Sequence, residues 1–246
     1  MRKQKTKQRA KGDGRMFRHE YKYLCDKTQN IVLKMRAKGL LQEDKYTGNK
    51  EYYYVRSLYF DTMDNQCYLE NESGNDKRNK YRIRIYNGNC EKIVLERKSK
   101  ERQMTSKISC PISEEVCRRL MRNQRIPITE DMSEVQKKLL LELQLKAMRP
   151  VVIVEYQRFP YIEKNGNVRI TFDENIGSSN EIEKFLDKQI TTRPILGNGQ
   201  SVLEVKWDAF LPSYIKEHMQ MEILQWGSFS KYYLCRKYNT YGGNVK

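Results

Sequence analysis

The 246-residue sequence predicts an α+β domain: a many-stranded antiparallel sheet, closed on itself or split into two layers, with helices against its outside. Three observations carry this prediction. Strand-like runs with apolar/polar alternation recur along most of the chain. Asn87-Gly88 and Asn165-Gly166 each sit between two such runs, where a hairpin turn would. Residues 16–240 contain neither an internal repeat nor a linker, and that length supports one substantial core.

The elements follow in order. "MFRHEYKYLC" alternates as a strand, and Asp26 then caps a helix through "KTQNIVLKMRAKG", with Gly39 as its stop signal. "EYYYVRSLYFDT", "KYRIRIYNG", "EKIVLERKSK" and "MTSKISCPI" read as strands. Ser113 opens a short helix, "EEVCRRLMRN"; Ser133 opens a longer one, "EVQKKLLLELQLKAM", ended by Pro150. Strands return at "VVIVEYQRFPYIE", "NVRITFDENI" and "SVLEVKWDAF", and a last helix is expected from Ser228. The total is eight or nine strands and four or five helices.

A net charge of +16 makes polyanions the expected partners. Residues 1–15 hold seven Lys or Arg against one Asp, so a tail expected to be disordered carries +6 of that charge. It has no apolar core of a secretory signal, and the longest apolar run, "PVVIVEY", is strand-sized rather than membrane-spanning. Six scattered cysteines without CxxC spacing, and only two histidines, argue against a zinc site or a disulfide framework. Reduced thiols in a cytoplasmic protein are expected.

One pattern recurs strand after strand. "KYRIRIY" puts Lys80, Arg82 and Arg84 on one face. Arg18, Glu20 and Lys22 share a face in "FRHEYKY", as do Glu96, Lys98 and Lys100 in "VLERKSK". Tyr156 pairs with Arg158, Arg169 with Thr171 and Asp173, and Glu204 with Lys206. A solvated face would mix polar residues freely, whereas here cations recur at i, i+2 beside single glutamates. If the amphipathic helices cover the apolar face, the charged face lines the inside of a curved sheet. Cations so confined repel one another unless a polyanion fills the space. Arg forks and Lys point charges suit phosphate, and the glutamates are hard oxygen ligands for Mg²⁺ or Mn²⁺.

These stretches, with "SLYFDT", "VEYQR" and the C-terminal "SFSKY", occur in one order over residues 16–240. In that order the chain resembles the polyphosphate polymerase (vacuolar transporter chaperone, VTC) domain of the triphosphate tunnel metalloenzyme superfamily. The resemblance implies a closed eight-stranded antiparallel β-barrel, the triphosphate tunnel, with helices outside. It implies one such domain over 16–240, between a basic tail (1–15) and a short C-terminal tail (241–246). Lys22, Arg82, Arg84, Lys98, Lys206 and Lys231 become candidate catalytic cations, and Arg18, Lys107, Arg158 and Arg169 candidate substrate contacts. Glu204 becomes the candidate metal ligand, with Glu20 and Glu96 as weaker ones, for Mn²⁺ or Mg²⁺. "SLYFDT" reads as structural, and His19 as a packed residue.

The implied activity is transfer of the γ-phosphate of ATP to a growing polyphosphate chain. The implied partners are ATP and inorganic polyphosphate or triphosphate, with nucleic acid secondary, through the tail. Eukaryotic members carry an inositol-phosphate-sensing domain and membrane helices; neither is found here, so a free-standing enzyme is expected. One Glu precedes Lys22 where triphosphatase relatives carry two, which favours polymerisation. A tunnel triphosphatase, or a non-catalytic polyphosphate- or RNA-binding module, are the alternatives.

Overall fold

A computed structural model describes residues 18–44, 47–48, 50–101 and 104–241, with the side chains of 240 and 241 left aside. The expectations for the tails at 1–15 and 242–246 lie outside the described residues. The strands are β1 (His19–Cys25), β2 (Gln42–Glu43), β3 (Tyr53–Asp61), β4 (Arg78–Tyr86) and β5 (Asn89–Glu101). They continue with β6 (Met104–Pro111), β7 (Arg149–Glu163), β8 (Val168–Ser179), β9 (Arg193–Pro194) and β10 (Ser201–Trp207). The helices are α1 (Lys27–Leu40), α2 (Gln66–Glu72), α3 (Glu114–Met121), α4 (Glu134–Leu145), α5 (Ser213–His218) and α6 (Lys231–Tyr241).

Local chemistry explains most boundaries. Asp26 accepts from the Gln29 amide while the Gln29 side chain accepts from the Asp26 amide, the reciprocal cap that starts α1. Ser113 and Ser133 cap α3 and α4 as expected. Asn87 and Gly88 both adopt positive φ, 54° and 62°, the left-handed pair that a tight β4–β5 hairpin needs. Other boundaries differ from expectation. Gly39 lies inside the last turn of α1, whose cap is Leu41. α4 ends at Leu145, before Pro150, because Ala147 turns left-handed (φ 45°). α6 begins three residues after Ser228, and α2 and α5 are too short for their periodicity to stand out.

The long strands pair in the order β1-β10-β8-β7-β3-β4-β5-β6, all antiparallel, with β2 on β7 and β9 on β8. The expected closed barrel is corrected: the sheet curls into an open half-barrel. Among the described residues its edges β1 and β6 form no ladder and share one isolated bridge, Arg18 to Thr105. The β5–β6 hairpin turns back beside the start of β1. From there β1's edge is taken by another segment, with Tyr23 bridging Trp226 and the Gly227 amide donating to the Lys22 carbonyl.

The apolar faces point outward under the helices. Leu139, Leu140 and Leu143 of α4 pack in one core with Ile83, Leu95 and Ile153. Leu33 and Ala37 of α1 and Ile215 of α5 pack in another with Ile170, Leu203 and Val205. Each buried Leu, Ile or Val side chain among these contributes about 1.5–3 kcal/mol. α6 departs from the expectation that helices cover the outside. Its Tyr232 ring lies 5.1 Å from Tyr59, and Lys231 reaches Asp173, both on the concave face. The start of α6 therefore lies on the concave face of the trough.

Candidate functional site

Register places the charged residues of neighbouring strands side by side. On β4 and β5, Lys80 faces Lys98 and Arg82 faces Glu96; on β10 and β1, Glu204 faces Lys22 and Lys206 faces Glu20. Arg158 of β7 faces Asp173 of β8. Curvature brings these sets together across the trough, where Lys98 Nζ donates to both oxygens of Glu20 at 2.7 Å. The result is a cavity of about 90 Å³ walled by Lys22, Lys80, Arg82, Arg84, Lys98, Arg158, Lys206 and Lys231, with Glu204 as the one carboxylate in its wall.

Other carboxylates stand behind the cations and aim them. Asp173 is wholly buried; it accepts from Arg158 Nε (2.7 Å) and Nη2 (2.8 Å), and lies 2.6 Å from Lys231 Nζ. Such a fork fixes a guanidinium far better than a single contact does. Glu96 accepts from Arg82 Nε at 2.8 Å and Lys107 Nζ at 2.9 Å, and is 3.8 Å from Arg84. Arg82 also donates to the Tyr59 hydroxyl (3.0 Å), and Arg84 to Ser57 (3.3 Å). Glu20 and Glu204 share Lys22, at 3.1 and 3.5 Å, and Glu204 also holds Lys206 at 2.8 Å.

Titration behaviour follows from this crowding. Burial and the neighbouring Glu204 push Glu20 up, but Lys98, Lys22 and Lys206 outweigh them and bring it to about 2. Glu204 is likewise held well below the usual carboxylate range: burial raises it, and Lys206, Lys22, Lys98 and Arg158 lower it further. Burial drives Lys98 the other way, to about 8, despite the attraction of Glu20. Lys80 falls well below 10.5 through burial and repulsion from Lys22 and Lys98. It donates to Asn71 and Ser230, both at 2.7 Å, and forms no ion pair among the described residues. An anion placed among these groups favours their charged forms and offsets their repulsion.

The structure brings Lys22, Arg82, Arg84, Lys98, Arg158, Lys206, Lys231 and Glu204 of the candidate set to one cavity. It does not bring the rest there. Arg18 pairs with Asp208 at 2.9 Å on the surface. Lys107 sits half-exposed at the rim on Glu96. Arg169 binds Asp44 (2.8 Å) and the Tyr53 hydroxyl (3.1 Å) beside a separate cavity. The three candidate metal ligands do not converge: Glu20 and Glu204 are neighbours, whereas Glu96 is enclosed by Arg82, Arg84 and Lys107. His19 stacks on Trp207, centroids 5.2 Å apart, outside the cavity.

Lys80 and Asp173 were missed as site residues although the alternation already put both on the charged face. Ser230 and Asn71, which hold Lys80, gave no sequence signal, because α2 was not predicted. Asp61 of "SLYFDT" is structural. It accepts from the amides of Thr62, Cys67 and Tyr68 and from the Tyr232 hydroxyl, tying β3 to α2 and α6.

A family model described as the VTC domain matches residues 17–239. No curated protein matches the chain. Among solved structures, one similar protein comes from Hippeastrum and is described as a candidate adenylyl cyclase with a dominant triphosphatase activity. It is 15% identical over 90% of this chain and 96% of its own, with a TM-score of 0.58. A protein from Bacillus halodurans described as a candidate adenylate cyclase is 14% identical over 86% of this chain and 90% of its own (TM-score 0.49). The Mimivirus capping enzyme triphosphatase is 12% identical over 87% and 91%, with a TM-score of 0.37. The Hippeastrum likeness shows a shared fold.

Proposed function

The chain belongs to the VTC domain family, and from that premise we propose that it is a polyphosphate polymerase, transferring the γ-phosphate of ATP to a phosphate chain held in the cation-lined cavity. One observation carries this reading: among the described residues, eight Lys and Arg side chains and a single carboxylate wall a cavity of about 90 Å³. Four carboxylates, Glu20, Glu96, Asp173 and Glu204, pair with these cations, and the surplus of positive charge favours a polyanion.

The chemistry needed from the protein is positioning and charge neutralisation. Arg158 and Arg82, each braced from behind by a carboxylate, present rigid forks to phosphate oxygens, while Lys22, Lys98 and Lys206 follow the moving charge. Transfer is favoured over hydrolysis by the state of the carboxylates. Glu20 and Glu204 are both tied to lysines, Lys22, Lys98 and Lys206, rather than free to take a proton from water. A terminal phosphate oxygen is already an anion near neutral pH and needs no such base.

Glu20 and Glu204 also suit a divalent cation. No group of three His, Cys, Asp or Glu side chains among the described residues could hold an ion alone. Mg²⁺ and similar ions, however, commonly bind through one or two carboxylates plus substrate phosphates. Mn²⁺ or Mg²⁺ held there would neutralise charge on the phosphate oxygens.

The test is incubation of purified protein with ATP and Mn²⁺, resolving products on a gel stained for polyphosphate. A ladder with ADP release is expected. Orthophosphate without a ladder would reassign the site to hydrolysis, and binding without turnover would leave a polyphosphate-binding module.

A further inference from the structure

Along the same concave face, one step past the cation cavity, lies a second cavity of different chemistry. Its volume is about 410 Å³, and Tyr53, Tyr86, Asn87, Lys92 and Arg169 are among its walls. That volume is in the range of small-molecule sites, and its two rings stand among polar and charged groups that include Asn89 and Glu91.

Its continuity with the cation cavity is built into the strands. Tyr86 follows Arg82 and Arg84 in alternation on β4, and Tyr53 is the register partner of Arg158. The two tyrosine rings meet with centroids 5.8 Å apart at 67°, so they form two walls of a corner. Arg169 closes the third side, its guanidinium anchored through Nη2 on Asp44 and the Tyr53 hydroxyl. Its Nε is buried and has no hydrogen-bond partner among the described residues. A buried N–H donor without a partner costs free energy unless a ligand supplies an acceptor.

We infer that this cavity holds the nucleoside of the phosphate donor: the base packs on Tyr86, and Arg169 Nε faces an acceptor on the ribose or the α-phosphate. The assignment rests on the reading of the cation cavity as the site of transfer, and it gives the trough a direction. The nucleotide lies at the Tyr53–Tyr86–Arg169 end. The phosphate chain runs toward the opposite opening, a cavity of about 240 Å³ walled by Arg78, Lys80, Lys98 and Lys100. Among the described residues, three aromatic ones line that opening, Tyr21, Trp226 and Phe229, and Phe229 lies beneath Lys231, 5.9 Å from its Nζ. Tyr21 alternates onto the outer face, where its ring packs edge-on against Trp207 and Trp226 leans on it.

The experiment compares ATP with inorganic tripolyphosphate as titrants on the full chain. Asn89→Trp fills the cavity from its rim, and Tyr86→Leu removes the stacking ring. Stacking of a base on an aromatic ring is worth about 1–3 kcal/mol, so each variant is expected to weaken ATP about tenfold and tripolyphosphate less than twofold. Retained tripolyphosphate affinity also shows that the variants fold. On the wild type, millimolar adenosine is expected to displace ATP but not tripolyphosphate. Adenosine that displaces neither, or variants that bind ATP normally, would overturn the assignment while leaving the transfer reading intact. Loss of ATP affinity in Trp226→Ala instead would move the nucleoside to the other opening. A wild type that binds neither titrant would overturn both.

Discussion

Glu204→Gln is expected to lower polyphosphate synthesis by about 10²–10³-fold, the loss typical of removing one preorganised electrostatic group from an active site. The glutamine keeps the volume and removes the one negative charge in the cavity wall, which holds Lys206 at 2.8 Å and Lys22 and Arg158 at 3.5 Å. Breaking a buried pair from one side is costly, so the ligand-free variant should also unfold about 3–5 kcal/mol more easily. Its pH dependence carries a sign. Folded Glu204 titrates well below its ordinary value of 4.5, so its stabilisation is complete above that pH and drains away as pH falls below it. The variant lacks that part of the acid limb, and its stability deficit should shrink between pH 6 and pH 3. Denaturant unfolding across that range checks this. Wild-type synthesis by the variant would remove Glu204 from the site.

Asp61→Ala is expected to cost about 4 kcal/mol and to lower the melting temperature by roughly 10 °C, without Asp61 touching substrate. The carboxylate is wholly buried and accepts from the amides of Thr62, Cys67 and Tyr68 and from the Tyr232 hydroxyl. Truncation strands all these donors in the interior, and each unsatisfied group costs about 1–3 kcal/mol before relaxation. Tyr232 follows Lys231, so loosening it should also weaken tripolyphosphate binding several-fold through Lys231. Calorimetry and titration separate the two effects. A variant within about 1 kcal/mol of wild type would show that Asp61 does not anchor α6.

Much of this was legible in the sequence, for a specific physical reason. Strand alternation is a two-state signal, and "KYRIRIY" with "LEVKW" put Arg82, Arg84, Glu204 and Lys206 on the face that turned out to be concave. Asp26, Ser113 and Ser133 marked helix starts because a side-chain oxygen facing free amides is a local device. What alternation could not supply is position along the trough. Arg18 and Arg169 share the charged face with cavity residues, yet Arg18 ends on Asp208 and Arg169 beside the second cavity. Half-barrel against barrel was equally out of reach, because the β1 edge is taken by Trp226 and Gly227, some 200 residues away in sequence. α6 reads as an ordinary amphipathic helix, and only its contacts with Asp61 and Asp173 place it inside the trough.

Thermal unfolding of the wild-type protein with and without millimolar tripolyphosphate tests most directly whether the buried cations form a polyanion site. A ligand that binds only the folded state adds about 2.7 kcal/mol at a hundred times its dissociation constant, or roughly 5–10 °C for a chain of this size. A rise of that order, falling with added salt and absent with the same concentration of sulfate, is the predicted result. An unchanged melting temperature would contradict it: the cation-lined cavity would then be satisfied by its own carboxylates, and phosphate transfer would have to be sought elsewhere on the molecule.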